Sequence, residues 1–249
     1  MTYQNYLIYP HWPVLYSDNH LLLLYKPAGL PVQGDESGDI SLLDIGKKWI
    51  KEKYHKPGNV FLAMVHRLDR PVAGLVLFCR TSKAAARISE QFRGRQVEKT
   101  YLAVVAGKVR NRAGTLRHYL QKIPGRSSRI LRHPVKSSAE AVLHYKRQGI
   151  AGHNSLLEIR LETGRHHQIR AQLSHMGYPI LGDLRYGASS PLPQKQIALL
   201  ASGLEIRHPV KKKKMRFVSP LPLGWPWEKE GEGESIFWNR SDIGDSFPT

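Results

Sequence analysis

The first candidate for chemistry in this 249-residue chain is a carboxylate with guanidinium neighbours. Asp69 stands in Val65-His66-Arg67-Leu68-Asp69-Arg70, between the apolar runs Phe61 to Val65 and Gly74 to Phe78. Both runs predict buried strands, and Pro71 and Gly74 predict the break between them. A carboxylate on that turn is rigid, and Arg67 and Arg70 favour its ionised form. An ionised carboxylate suits a nucleophile or a base and does not suit a general acid. A structural ion pair at a strand end is the other reading, because such pairs perturb carboxylates as well. Other chemistries lack their residues. The chain has no glycine-rich phosphate cradle, no G-x-G-x-x-G after a strand, no cysteine cluster and no H-E-x-x-H. Twelve histidines are present, and His166, His167 and His175 lie close together. Neighbouring residues on a helix diverge by about 100°, so these do not predict a metal site.

The elements that must hold Asp69 follow from pattern. Val14 to Tyr25 predicts a hairpin turning at Ser17-Asp18-Asn19, and Lys26-Pro27-Ala28-Gly29-Leu30-Pro31 a stiff loop after it. Ser41, with Asp44 three residues on, predicts a capped helix to about Lys53. Thr81 or Ser82 caps a second helix, with Ala84, Ile88 and Phe92 on one face and Gly94 at its end. Arg93 to Lys99 is a basic loop feeding a strand, apolar on both faces, that ends at Gly107. Residues 108–140 are basic and weakly patterned, and predict short strands with an excursion that touches RNA or is simply solvated. Leu157, Ile159 and Leu161 alternate with polar residues as in a half-buried antiparallel strand. A helix is expected from Arg165 to Met176, and Ile197 to Leu204 fits either strand or helix. Lys211 to Lys214 predicts the tip of a hairpin. From Pro220 onward the composition predicts an irregular tail wrapped on the domain. No repeat and no linker divides the chain.

Thirty-eight Lys and Arg against 20 Asp and Glu give a formal charge of +18, which points to an anionic polymer, most simply nucleic acid. A hydrophobic fraction of 41% argues for a folded domain over a basic disordered tail. The single cysteine, Cys79, reads as a small buried hydrophobe, which fits a reducing compartment. No leader opens the chain and no apolar run is long enough for a membrane span. A soluble, cytoplasmic, monomeric protein is expected.

The sequence resembles the RluA family of RNA pseudouridine synthases over about residues 12–224. Lys26 to Val32 is similar to the family's first loop. His66-Arg67-Leu68-Asp69-Arg70 with Gly74-Leu75 is similar to its catalytic motif, and Lys99-Thr100-Tyr101-Leu102-Ala103 to its tyrosine strand. Gly164 to Arg170, Gly177 to Ile180 and Gly182-Asp183 are similar to its third motif. The resemblance implies an α+β fold: one pseudouridine synthase catalytic domain over residues 1–249, a mixed, mostly antiparallel sheet flanked by helices and loops. It also implies that uridine in rRNA or tRNA is isomerised to pseudouridine without a cofactor. Asp69, Tyr101 and Arg170 take the catalytic positions: Asp69 attacks C1′ or removes the 2′ proton, Arg170 pairs with it, and Tyr101 stacks on the uracil. Arg67 takes a position that replaces the flipped base, and Arg165 and His166 lie near the substrate. The chain departs from the usual pattern in having Val72-Ala73-Gly74 for Thr-Ser-Gly, Pro71 after Arg70, Gln172 where many members carry His, and His166 where many carry Thr. An S4-type RNA-binding domain is expected to be absent. Two rivals remain: a non-catalytic RNA-binding factor on the same scaffold, and a hydrolase using paired carboxylates on the glycosidic bond.

Overall fold

The computed structural model describes residues 14–123, 127–222 and 224–227. In chain order the elements are β1 (Val14–Ser17), β2 (Leu21–Lys26), α1 (Leu42–Lys53), β3 (Ala63–Met64), β4 (Ala73–Cys79), α2 (Ser82–Arg93), β5 (Glu98–Ala106), β6 (Ala113–Lys122), β7 (Ser128–Leu131), β8 (Ser138–Ala151), β9 (Asn154–Leu161), α3 (Gln168–His175), β10 (Leu199–Arg207) and β11 (Lys214–Val218). This is the α+β class, with antiparallel pairing in both of the compact units into which the chain divides. Among the described residues no helix is long and apolar enough to cross a membrane.

The first unit takes its described residues from 14–97 and 201–222. β2 runs antiparallel between β1 and β4, β10 lies on the far side of β4, and β11 pairs with β10. β2 reads Leu-Leu-Leu-Leu-Tyr-Lys and is buried along its whole length. A strand buried on both faces needs a cover on each. α2 covers one face, setting Ala84 and Ile88 against Leu21, Leu23, Leu75 and Leu77. α1 covers the other, where the Cα of Gly46 comes so near Leu22, Leu24 and Leu62 that a Cβ would be crowded. Each of these leucines contributes about 1.5–3 kcal/mol by leaving water. The expected caps are present. Ser41 accepts from the Asp44 N–H while Asp44 accepts from the Ser41 N–H, and Thr81, not Ser82, accepts from Ala84. Cys79 is fully buried, and burial pushes its thiol up to about 12, as befits a packing residue.

The second unit takes its described residues from 98–123, 127–200 and 224–227. Its strands run in the order β5-β9-β8-β6-β7, each antiparallel to the next. The expectation of short strands in 108–140 is corrected. β6 has 10 residues and pairs with β8, which has 14, while β7 is short at four. In β6 most residues are exposed or only half-buried and Leu120 alone is buried, so the strand lacks a strong apolar period in sequence. α3 packs on the ribbon through Ala171, against Leu120, Ala141 and Tyr186. It begins three residues later than expected, because His167 takes a left-handed conformation (φ 51°) ahead of it. Residues 199–204 resolve as strand, within β10, while 197 and 198 precede it. The expected tail lies outside the described residues except for 220–222 and 224–227.

Candidate active site

Asp69 lies on the turn that precedes β4. Its carbonyl accepts the Val72 N–H at 3.0 Å, closing the turn over Pro71. Leu68 and Val72 anchor the turn in the core on either side, and the Asp69 side chain is half-buried. The strand before the turn is shorter than the apolar run suggested. β3 has only two residues and Phe61 is exposed. The ladder stops because a side chain takes over: Nε2 of His66 accepts the Leu77 N–H of β4 at 2.9 Å, and its ring stacks on Phe92. On the other side of the turn Gly74 pairs with Lys26. Its φ is +125°, and a Cβ there would lie 2.4 Å from the Ala201 carbonyl, so only glycine lets β4 start at this depth.

In the same unit Lys26 feels the charge of Asp69, and the sequence assigned it no role. Lys26 ends β2 and is 0% exposed. Its ammonium donates to the carbonyls of Pro27 at 3.0 Å, Leu30 at 2.8 Å and Arg70 at 3.0 Å, which occupies all three hydrogens. Burial draws this lysine down to about 7, and the charge of Asp69 pulls it back up. Arg70, expected to flank Asp69 as one of its cations, is directed elsewhere. Its guanidinium donates to the Gly29 carbonyl at 2.9 Å and the Ser37 hydroxyl at 3.3 Å, and pairs with Asp39 and, at 3.6 Å, with Asp35. Its carbonyl accepts from Gly29 N at 2.8 Å. Arg70 therefore clasps the Lys26 to Pro31 loop to the turn, and its guanidinium in turn holds the Asp39 carboxyl below its usual range. Arg67 is exposed.

Replacing Lys26 with Met tests the ammonium's own hold on this loop. Three carbonyls lose a donor at about 1–3 kcal/mol each, and relief from burying a charge returns part of that. The expected net loss is on the order of 3 kcal/mol, read by urea unfolding. Unchanged stability would show that the ammonium does not hold the loop.

The second unit carries the other expected residues. Tyr101 is half-buried on β5, in register with Ile159. Arg170 is buried on α3, and its partner here is a residue the sequence had quoted only as part of a motif. Its Nε donates to Oδ2 of Asp183 at 2.7 Å and its terminal nitrogen to Oδ1 at 2.8 Å, with both side chains at most 5% exposed. The guanidinium carbon also lies 5.0 Å from the Tyr186 ring. Asp183 reaches this depth because Gly182 takes φ +82°, where a Cβ would meet the Gln196 carbonyl at 2.7 Å. The Tyr186 hydroxyl bonds the His167 ring at 2.9 Å and accepts the Ser128 N–H at 2.8 Å. That ties the start of α3 to β7. Buried Gln168 completes the helix start by accepting from Arg165 N and Thr163 and donating to the Val142 carbonyl.

Of the remaining candidates, Arg165 is exposed and its Nε donates to the Glu140 carbonyl at 2.9 Å. His166 stacks on His167 at 3.8 Å and bonds the Ser128 hydroxyl at 2.9 Å. Asp69 and Arg67 thus belong to the first unit, while Tyr101, Arg165, His166 and Arg170 belong to the second. Lys26 and Asp183 had entered only as members of motifs, without a role, and Tyr186 had none. Their signals were a lysine closing a leucine strand, and an acid and a tyrosine set between glycines in Gly182-Asp183-Leu184-Arg185-Tyr186-Gly187.

Residues 20–175 match a family model described as RNA pseudouridylate synthase. The ribosomal large subunit pseudouridine synthase D of Xylella fastidiosa is 34% identical over 226 residues, 84% of this chain and 66% of that protein. An uncharacterised RNA pseudouridine synthase of Bacillus subtilis is 32% identical, covering 86% of this chain and 70% of its own. The tRNA pseudouridine synthase C of Pectobacterium carotovorum is 30% identical, covering 88% and 60%. The chain spans about two thirds of the length of these relatives. In fold it is similar to human RNA Pseudouridylate Synthase Domain Containing 4, with a TM-score of 0.71 at 24% identity over 86% of this chain and 90% of that one. Human RNA Pseudouridylate Synthase Domain Containing 1 gives 0.66 at 21%, over 85% and 84%. With more than half of its length matched by the family model and curated relatives above 30% identity, the chain belongs to the RNA pseudouridylate synthase family, in the RluA group whose motifs it carries.

Proposed function

We propose that this protein isomerises specific uridines of ribosomal or transfer RNA to pseudouridine, with Asp69 as the catalytic aspartate. The observation that carries the reading is a half-exposed carboxylate on a closed turn, whose charge acts on the buried lysine Lys26. The names of the relatives and the charge of +18 support RNA as the substrate. The reaction breaks the N1–C1′ bond and forms a C5–C1′ bond. The C5 proton leaves to solvent and N1 gains a proton, so atoms balance with no cofactor. Asp69 acts on the sugar as an ionised group, by attack at C1′ or by removing the 2′ proton. The uridine must first leave its stack, at a few kcal/mol. In this reading Arg67 fills the space it leaves, Tyr101 stacks on the uracil, and Arg165 and His166 hold neighbouring RNA. Arg170, fixed by Asp183, supplies a cation that stabilises charge on the departing base. The protein works as a cytoplasmic monomer.

Transcripts of large-subunit rRNA and tRNA labelled with tritium at uridine C5 test this directly. Release of tritium to water, with no free uracil, is the expected result. Free uracil would mark a glycosidic hydrolase instead, and no release from any such RNA would overturn the reading.

A further inference from the structure

The hairpin of β10 and β11 turns through His208-Pro209-Val210-Lys211-Lys212-Lys213, and it is held more firmly than a solvated tip requires. His208 N donates to the Lys213 carbonyl at 2.8 Å and Lys212 N to the His208 carbonyl at 3.0 Å. The His208 ring is 1% exposed, and its Nδ1 accepts the N–H groups of Val210 at 3.1 Å and Lys211 at 2.8 Å. With Nδ1 accepting, the ring proton sits on Nε2 and is donated to Asp18 at 2.7 Å. Asp18 also accepts from the N–H groups of His20 and Leu21 and from the Tyr16 hydroxyl. α2 braces the turn from the side. Arg87 donates to the Pro209 carbonyl at 3.0 Å, and Gln91 bonds both backbone groups of Arg207.

None of these bonds uses a lysine ammonium. Lys214 pairs with Glu205 at 2.5 Å, whereas Lys211, Lys212 and Lys213 are exposed and have no carboxylate partner among the described residues. Lys212 moreover has φ +59°, a left-handed conformation in which glycine or asparagine would cost least. Turn chemistry therefore does not account for lysine there. Consecutive cations repel, and a braced turn cannot relax that repulsion by spreading. A polyanion relieves it.

We propose that the tip formed by Lys211, Lys212 and Lys213 docks the phosphate backbone of the RNA substrate, away in sequence from the Asp69 turn. This rests on RNA being the substrate. Each ammonium that meets a phosphate releases condensed counterions, so affinity depends on salt with a slope of about 0.7–0.9 per contact.

The test combines Lys211→Gln, Lys212→Asn and Lys213→Gln, with asparagine chosen because the left-handed backbone accepts it. A control combines Lys48→Gln, Lys51→Gln and Lys56→Gln, three other exposed lysines, for the same change in net charge. Binding of an unmodified large-subunit rRNA transcript and of total tRNA is measured against salt, with melting temperatures confirming that both variants fold. The tip variant is expected to bind roughly ten- to hundredfold more weakly at about 150 mM salt, with a slope shallower by about 2, while the control stays near wild type. Equal losses in both variants would reduce the effect to overall charge and overturn the proposal, as would wild-type binding by the tip variant. If the wild-type protein binds neither RNA, the functional reading fails, and this surface with it.

Discussion

Asp69→Ala is expected to lower pseudouridine formation by about 10⁴-fold or more while leaving RNA affinity within a few-fold of wild type. The first half follows from what is removed. Loss of a nucleophile whose chemistry no neighbour can supply costs orders of magnitude, and residual rates come from binding alone. The second half follows from charge. Asp69 is a carboxylate whose charge acts on the buried Lys26, so removing it takes no cation away from the phosphates. Asp69→Glu keeps the charge but moves the oxygens by about one bond. A misplacement of about 1 Å costs around a hundredfold, so this variant should fall between the two. Tritium release at C5 and a filter-binding isotherm on the same transcript separate the two quantities. Modification by the alanine variant at the wild-type rate would remove Asp69 from the mechanism and leave a binding factor on this scaffold.

The second large effect is expected at Asp183. Arg170 and Asp183 form a two-point pair in the interior, and taking out one member of such a pair costs about 3–5 kcal/mol because the other stays buried with its donors unmatched. Asp183→Ala should therefore lower the melting temperature by on the order of 10 °C. Asp183→Asn keeps the size and one acceptor, so it should lose less stability. In the proposed mechanism it should still lose activity, because Arg170 then tilts away from where charge develops. A fall in kcat with KM for RNA unchanged is the signature of that positioning. If the alanine variant melts with the wild type, the pair does not hold α3 in place. If the asparagine variant turns over normally, Arg170 does not need Asp183 for its orientation.

Local signals were legible wherever the physics acts within a few residues. The Ser41 and Asp44 cap, the Thr81 cap, the break at Pro71 and the leucine strand before Lys26 all follow from short-range geometry and apolar runs. The motif order likewise gave the family and marked Asp69, Tyr101 and Arg170 as candidates. What the chain could not reveal by itself was which charges meet. Arg70 adjoins Asp69 in sequence, yet its guanidinium turns to Asp35 and Asp39, while the charge of Asp69 acts on Lys26, 44 positions before the Arg70 carbonyl it bonds. Arg170 meets Asp183, 13 positions away across a glycine-walled turn. β6 hid its length because only Leu120 along it is buried, so no apolar period marks it, and β8 because its buried residues cluster at Ala141 to Tyr145. Desolvation and pairing depend on what the folded chain packs around a side chain. Caps and turns depend on the residues next to it, and for that reason sequence fixes the second kind of feature and tertiary structure the first.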